Sequence, residues 1–186
     1  MANDLLTRSL HDLGAAAWFG GSLMGAVGVN GAAAAAKEPA ERARLSTIGW
    51  AKWSPVQLGA MLAHGVGGVG LILGNKSRLA GQKGATANTV VKAGLTLAGA
   101  GMSVYSGVLG KRMGALTARG AATGAAVEGP TEPGPAAPAE LKSTQKQLKL
   151  LQWALPVVVG AVIVLGAQQG EQQRPTNVSR GLLRRH

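Results

Sequence analysis

Four stretches of the chain, residues 13–36, 53–75, 93–110 and 150–170, contain no charged side chain. They run 24, 23, 18 and 21 residues, and every Lys, Arg, Asp and Glu lies outside them. A helix needs about 20 apolar residues to cross a bilayer core. The pattern therefore predicts an all-α protein: a four-helix transmembrane bundle with spans at about 13–36, 53–75, 90–110 and 150–170. A soluble Ala/Gly-rich helical domain is the alternative. Amphipathic soluble helices need a polar face, however, and none of the four stretches has a charged one.

The polar positions between the spans predict the remaining layout. Residues 1–12 read as a short amphipathic N-terminal helix leading into the first span. Leu6, Leu10 and Leu13 share one of its faces, and Asp4, Arg8 and Asp12 form a charge ladder on the other. Residues 37–52 read as a polar connection, with Ser54 and Pro55 as the cap and first position of the second span. Residues 75–92 form a basic loop without a carboxylate. Residues 111–149, with Pro130, Pro133, Pro135 and Pro138 among Ala and Gly, read as a disordered linker whose last residues start the fourth helix. Pro156 is expected to kink that helix. Residues 171–186 form a basic tail.

Composition sharpens this picture. Gly makes up 29 of the 186 residues, about twice its ordinary share. Small residues let helix backbones approach closely in lipid, and Gly21/Gly25 and Gly70/Gly74 have the GxxxG spacing of helix-packing surfaces. The formal net charge is +11, but the basic residues punctuate the span ends instead of forming one patch with aromatics, which argues against nucleic acid. A bilayer with anionic headgroups is the expected partner. The absence of cysteine excludes disulfides and thiolate metal sites. The N-terminus lacks the pattern of a cleaved signal peptide. Four spans put both termini on one side. The basic tail and the acid-free 75–92 loop point to that side being cytoplasmic, in a bacterial inner membrane.

Within the spans, His64 is the residue to watch. It stands mid-span, and an ionisable group at that depth marks a functional site by default. Helical spacing puts Gln57, Met61, His64 and Gly68 on one inward face. Either His64 serves as a proton relay or ligand, or it is a neutral imidazole hydrogen-bonded to a neighbouring helix. Haem held by two histidines would need a second His at the same depth, and His11 falls outside the first span. Aligning antiparallel spans by depth also brings Asn30, Gln57, Tyr105 and Gln152 to one level, which predicts a polar layer. Trp50, Trp53 and Trp153 near that face read as an interfacial aromatic belt, and Trp18 with Phe19 as its counterpart on the other.

Nucleotide and catalytic signals fail on inspection. Residues 65–70 match GxGxxG, but no Asp or Glu occurs from Arg42 to Val127, so the acidic partner of a dinucleotide site is missing. Gly74-Asn75-Lys76-Ser77 has Asn where a P-loop requires Gly. No carboxylate lies in any span and the three His are far apart in sequence, so paired acids, a metal-ligand cluster and a nucleophile–base pair are all lacking. No enzyme activity, cofactor or metal is expected.

His11-Asp12-Leu13-Gly14, continuing to Trp18-Phe19-Gly20-Gly21 and Gly25, resembles small multi-pass membrane proteins of high-GC bacteria that have no assigned function. Trp50-Ala51-Lys52-Trp53-Ser54-Pro55 fits the same resemblance, which covers about the first 110 residues. It implies a four-helix membrane fold and bacterial origin, and transfers no catalytic residue. The leading expectation for function is an accessory or scaffolding subunit that packs Gly/Ala faces against itself, as a homo-oligomer, or against a larger membrane complex. The competing expectation is a small transporter or channel with His64 facing an internal pathway lined by Asn30, Gln57 and Tyr105.

Overall fold

Charged residues expected to separate the helices lie inside them instead. The computed structural model describes residues 2–76, 83–122 and 127–171, and these are helical apart from short turns. Helix α1 (Ala2–Met24) continues through a π-helical turn (Gly25–Val29) into α2 (Asn30–Ala34), forming one N-terminal rod. The expected separate helix over residues 1–12 is thus the opening of α1. Helices α3 (Pro39–Gly74), α4 (Lys83–Ala122) and α5 (Ala139–Glu171) run 36, 40 and 33 residues. The tail beyond Glu171 and part of the 75–92 connection fall outside the described residues.

Local chemistry explains the shifted boundaries. Pro39, not Pro55, opens α3: its fixed φ suits a first turn, where its missing N–H has no role. Pro55 therefore lies within the helix, and the Ser54 hydroxyl bonds back to the Trp50 carbonyl at 2.7 Å instead of capping. In the N-terminal rod, the π turn absorbs an extra residue. Ser22, Ala26 and Asn30 consequently all stay on the buried face.

The region 111–149 is not a disordered linker. Residues 111–122 continue α4, and 139–149 belong to α5. Residues 127–138 form a pinned turn with Val127 bridged to Pro133. The buried Gln145 amide donates to the Gly129 and Pro130 carbonyls at 3.1 and 3.4 Å. Arg42 donates to the Glu128 carbonyl at 2.9 Å, and Lys149 pairs with Glu132 at 3.2 Å. Val127 and Ala137 pack against Ala43, Met113 and Leu141.

The rods form a ring in which α1 packs on α3 and α4 on α5, closed by α1–α5 and α3–α4 contacts. Pairs α1–α4 and α3–α5 face each other across the diagonals. One end of the bundle, the termini end, holds the start of α1 and the end of α5; the turn end holds residues 35–38 and 127–138. A second core cluster joins Trp18, Ala60, Leu155 and Val159 midway between them.

Register departs from an alignment of charge-free stretches. As the N-terminal rod runs from Thr7 through Gly14 and Gly25 to Val29, its neighbours on α3 run from Gly70 through His64 and Trp50 to Gly49. The charge-free stretch of α1 is therefore displaced toward the turn end by about twelve residues, roughly 18 Å at 1.5 Å per residue. Among the described residues, two helices, α3 and α5, are long and apolar enough to cross a membrane. The charged opening of α1 stands beside the apolar part of α3.

Candidate functional site

Two glycines build the centre of the termini half. A Cβ at Gly14 would stand 2.5 Å from the His64 backbone nitrogen, and one at Gly67 would stand 2.4 Å from that of His11. Each position therefore requires glycine, and the paired contacts bring α1 and α3 backbone to backbone. His11 and His64 are carried into contact as a result. Their ring centroids lie 4.2 Å apart with planes tilted by 38°, and the residues are 3% and 2% exposed. His11 is thus a partner of His64 at the same level, although the sequence pattern places it outside the first span. A fixed glycine register, invisible in charge patterning, overrides that expectation.

Hydrogen-bond partners fix the roles of the ring nitrogens. His64 Nδ1 lies 3.0 Å from the His11 carbonyl, which can only accept, so Nδ1 carries the hydrogen. Nε2 of the neutral ring then accepts from the Thr96 hydroxyl at 3.2 Å. His11 Nδ1 donates to the Asp12 carboxylate at 2.7 Å, leaving Nε2 as an acceptor with no hydrogen-bond partner among the described residues. Both His64 nitrogens and one of His11 are therefore engaged. Haem held between these two rings does not fit, because the rings touch one another. Among the described residues, no group of three or more His, Cys, Asp or Glu is placed to hold a metal.

Further polar groups surround the pair on the side of the termini end. Lys92 donates to the Gln169 amide oxygen at 2.7 Å, and Gln169 donates to the Thr89 hydroxyl at 2.8 Å. One turn before Lys92, Asn88 donates to Gln168 at 3.0 Å. Asp12 is 60% exposed and lies within electrostatic reach of Lys92. On the opposite side Trp18 closes the site. Its ring is 6.2 Å from that of His64, and its indole N–H donates to Ser103 at 3.1 Å. Trp18 is 1% exposed, a core residue and not an interfacial one. Phe19 likewise packs inward against Gly160.

The expected polar layer is assembled only in part. Asn30 donates to Gln152 at 2.6 Å and accepts from Ser46 at 2.8 Å and Trp50 at 2.9 Å. Gln57 is half-buried and outside this network. Tyr105 hydrogen-bonds to Gln147 on the exposed side of the α4–α5 pair. Ser46 was not anticipated, because the 37–52 segment reads as a connection.

Tryptophan and glycine positions also depart from expectation. The Trp53 and Trp50 rings occupy the places that Cβ atoms at Gly21 and Gly25 would take. That GxxxG pair therefore seats indole rings of the same chain. Gly70 receives the Thr7 side chain, and Gly74 is exposed at the end of α3. Of the expected aromatic belt only Trp153 is half-exposed; Trp50 and Trp53 lie over α1. The 65–70 glycine run sits inside α3 and forms no phosphate-binding loop.

Comparison with protein-family models, curated proteins and solved structures finds no match for this chain.

Proposed function

We propose that this chain is an integral membrane protein whose four helical rods all cross the bilayer and enclose a small-solute site at the level of His11 and His64. Transport or channelling of that solute is its function, in a bacterial inner membrane with both termini cytoplasmic. The observation that carries this reading is the convergence of His11, His64 and Lys92, with the exposed Asp12 beside them, next to the charge-free stretches of α3 and α5. Ionisable side chains inside a membrane bundle mark pathways by default. Membrane embedding is supported by the outward faces, where Leu62, Val66 and Val69 of α3, Leu97 and Val104 of α4, and Val157 and Val164 of α5 are exposed.

The scaffolding alternative has one observation in its favour. A Cβ at Gly94, Gly101 or Gly107 of α4 would meet only open space, so that helix has surface for a second copy or a larger complex. Against it, Gly21, Gly25 and Gly70 are filled from within the chain. No catalytic residue is assigned under either reading.

Reconstitution separates the two. Liposomes containing the purified protein are expected to become permeable to a small solute, and His64→Leu to remove this permeability while helicity and native size persist. An impermeable reconstituted protein that co-purifies stoichiometrically with a larger complex would establish the scaffold instead.

A further inference from the structure

The α1–α3 seam is titratable in one half only. In the termini half, the His11 and His64 rings touch at 4.2 Å between centroids, both almost fully buried. Thr7 fits against Gly70, the His11 backbone against Gly67, and Gly14 against the backbone of Ala60 and His64. The His64 Nδ1–H adds a hydrogen bond to the His11 carbonyl. In the turn half, the Trp53 and Trp50 rings lie over Gly21 and Gly25, and Asn30 binds Ser46 and Trp50. None of these turn-half groups titrates near neutral pH.

Charge around the two rings is lopsided. From α1, Asp12 accepts from the His11 ring, and Arg8 lies within electrostatic reach of Lys92. From α4, Lys92 lies within reach of both imidazoles. The stretches 53–75 of α3 and 150–170 of α5 supply no charge apart from His64 itself. One carboxylate therefore faces two cations, and it is 60% exposed. Asp12 can offset one added proton on the rings. A second would set two imidazolium cations in contact with Lys92 close by, and like charges sharing a site repel.

We infer that the His11–His64 contact is an acid-operated latch: with neutral rings it holds the opening of α1 against α3, and with both rings protonated it releases it. Parted rings reach polar surroundings and can both be charged, so the parted form holds more protons and gains as pH falls. Backbone packed on backbone at Gly14 and Gly67 gives the seam two arrangements, closed and parted, because packed interfaces are bistable and not continuously deformable. The turn half, without a titrating group, stays closed. The latch does not depend on the transport reading above.

Pulsed electron paramagnetic resonance on spin-labelled protein in liposomes tests this, since the sequence has no cysteine of its own. Labels at Leu6→Cys and Val69→Cys, exposed sites beside the Thr7–Gly70 contact, report the termini half. Labels at Val27→Cys and Ile48→Cys, exposed sites beside the Val29–Gly49 contact, report the turn half. Between about pH 7.5 and about pH 5, which bracket the ordinary titration of imidazole, the first distance is expected to lengthen and the second to stay constant. His11→Gln and His64→Gln each leave a single ring, so either variant should hold the short distance at both pH values. Circular dichroism checks the helicity of every variant at both. A termini-half distance indifferent to pH would overturn the latch. So would lengthening that persists in both glutamine variants, or that occurs equally in the turn half as acid unfolding would make it.

Discussion

Single glycines decide where the two histidines meet. Alanine at Gly14 or Gly67 collides with backbone, which cannot move aside as a side-chain tip can, whereas alanine at Gly20 or Gly59 meets open space. Gly14→Ala and Gly67→Ala are therefore expected to destabilise by about 1–3 kcal/mol or more. Gly20→Ala and Gly59→Ala should leave stability unchanged or slightly raised. Unfolding in mixed detergent, followed by circular dichroism, reads the difference. Equal effects at all four sites would contradict the close approach. Asn30 offers a second residue-scale test. Asn30→Ala leaves Ser46, Trp50 and Gln152 without the partner shown here and should cost about 1–3 kcal/mol. Gln57→Ala, outside the network, should change stability by less than about 0.5 kcal/mol.

At the scale of elements, helical character was readable and boundaries were not. Charge-free runs announce apolar helices, but nothing in a local window says that Glu41, Arg44 and Lys52 continue the same helix as His64. The 127–138 turn is the clearest case. Its Pro, Ala and Gly content reads as disorder because the groups that pin it, Arg42 and Gln145, lie 86 and 16 residues away from their carbonyl partners. The turn is expected to resist limited proteolysis in the intact protein. Gln145→Ala should expose it to cleavage, since the two carbonyls lose their donor and the packing of Val127 and Ala137 against Leu141 loses its tie. Rapid cleavage of the wild type within 127–138 would show that the turn is not held. His64 and Asn30 were legible as polar residues in apolar stretches. His11 was not, because the charges beside it made its segment look peripheral.

For the whole molecule, the consequence is a bundle whose interior is more polar than any one helix suggests. Aligning charge-free stretches leaves one ionisable residue at mid-depth. The observed register adds the buried His11 and the partly buried Lys92 to that neighbourhood, with Asp12 exposed beside them. Lys92 reaches along the bundle to Gln169 near the termini end, as a long cationic side chain does when its head seeks a polar level. The α1–α3 register sets this arrangement, and the absence of cysteine from the sequence makes it directly measurable. A Cβ at Gly70 would stand 3.2 Å from Thr7 Cβ, close to the separation of about 3.5–4.5 Å spanned by a disulfide. Oxidation of a Thr7→Cys/Gly70→Cys variant in native membranes should cross-link it within one chain. A Leu13→Cys/Asn75→Cys variant, which pairs the ends of the two charge-free stretches, should remain reduced. Cross-linking of the second pair and not the first would place His11 away from His64 and contradict this register.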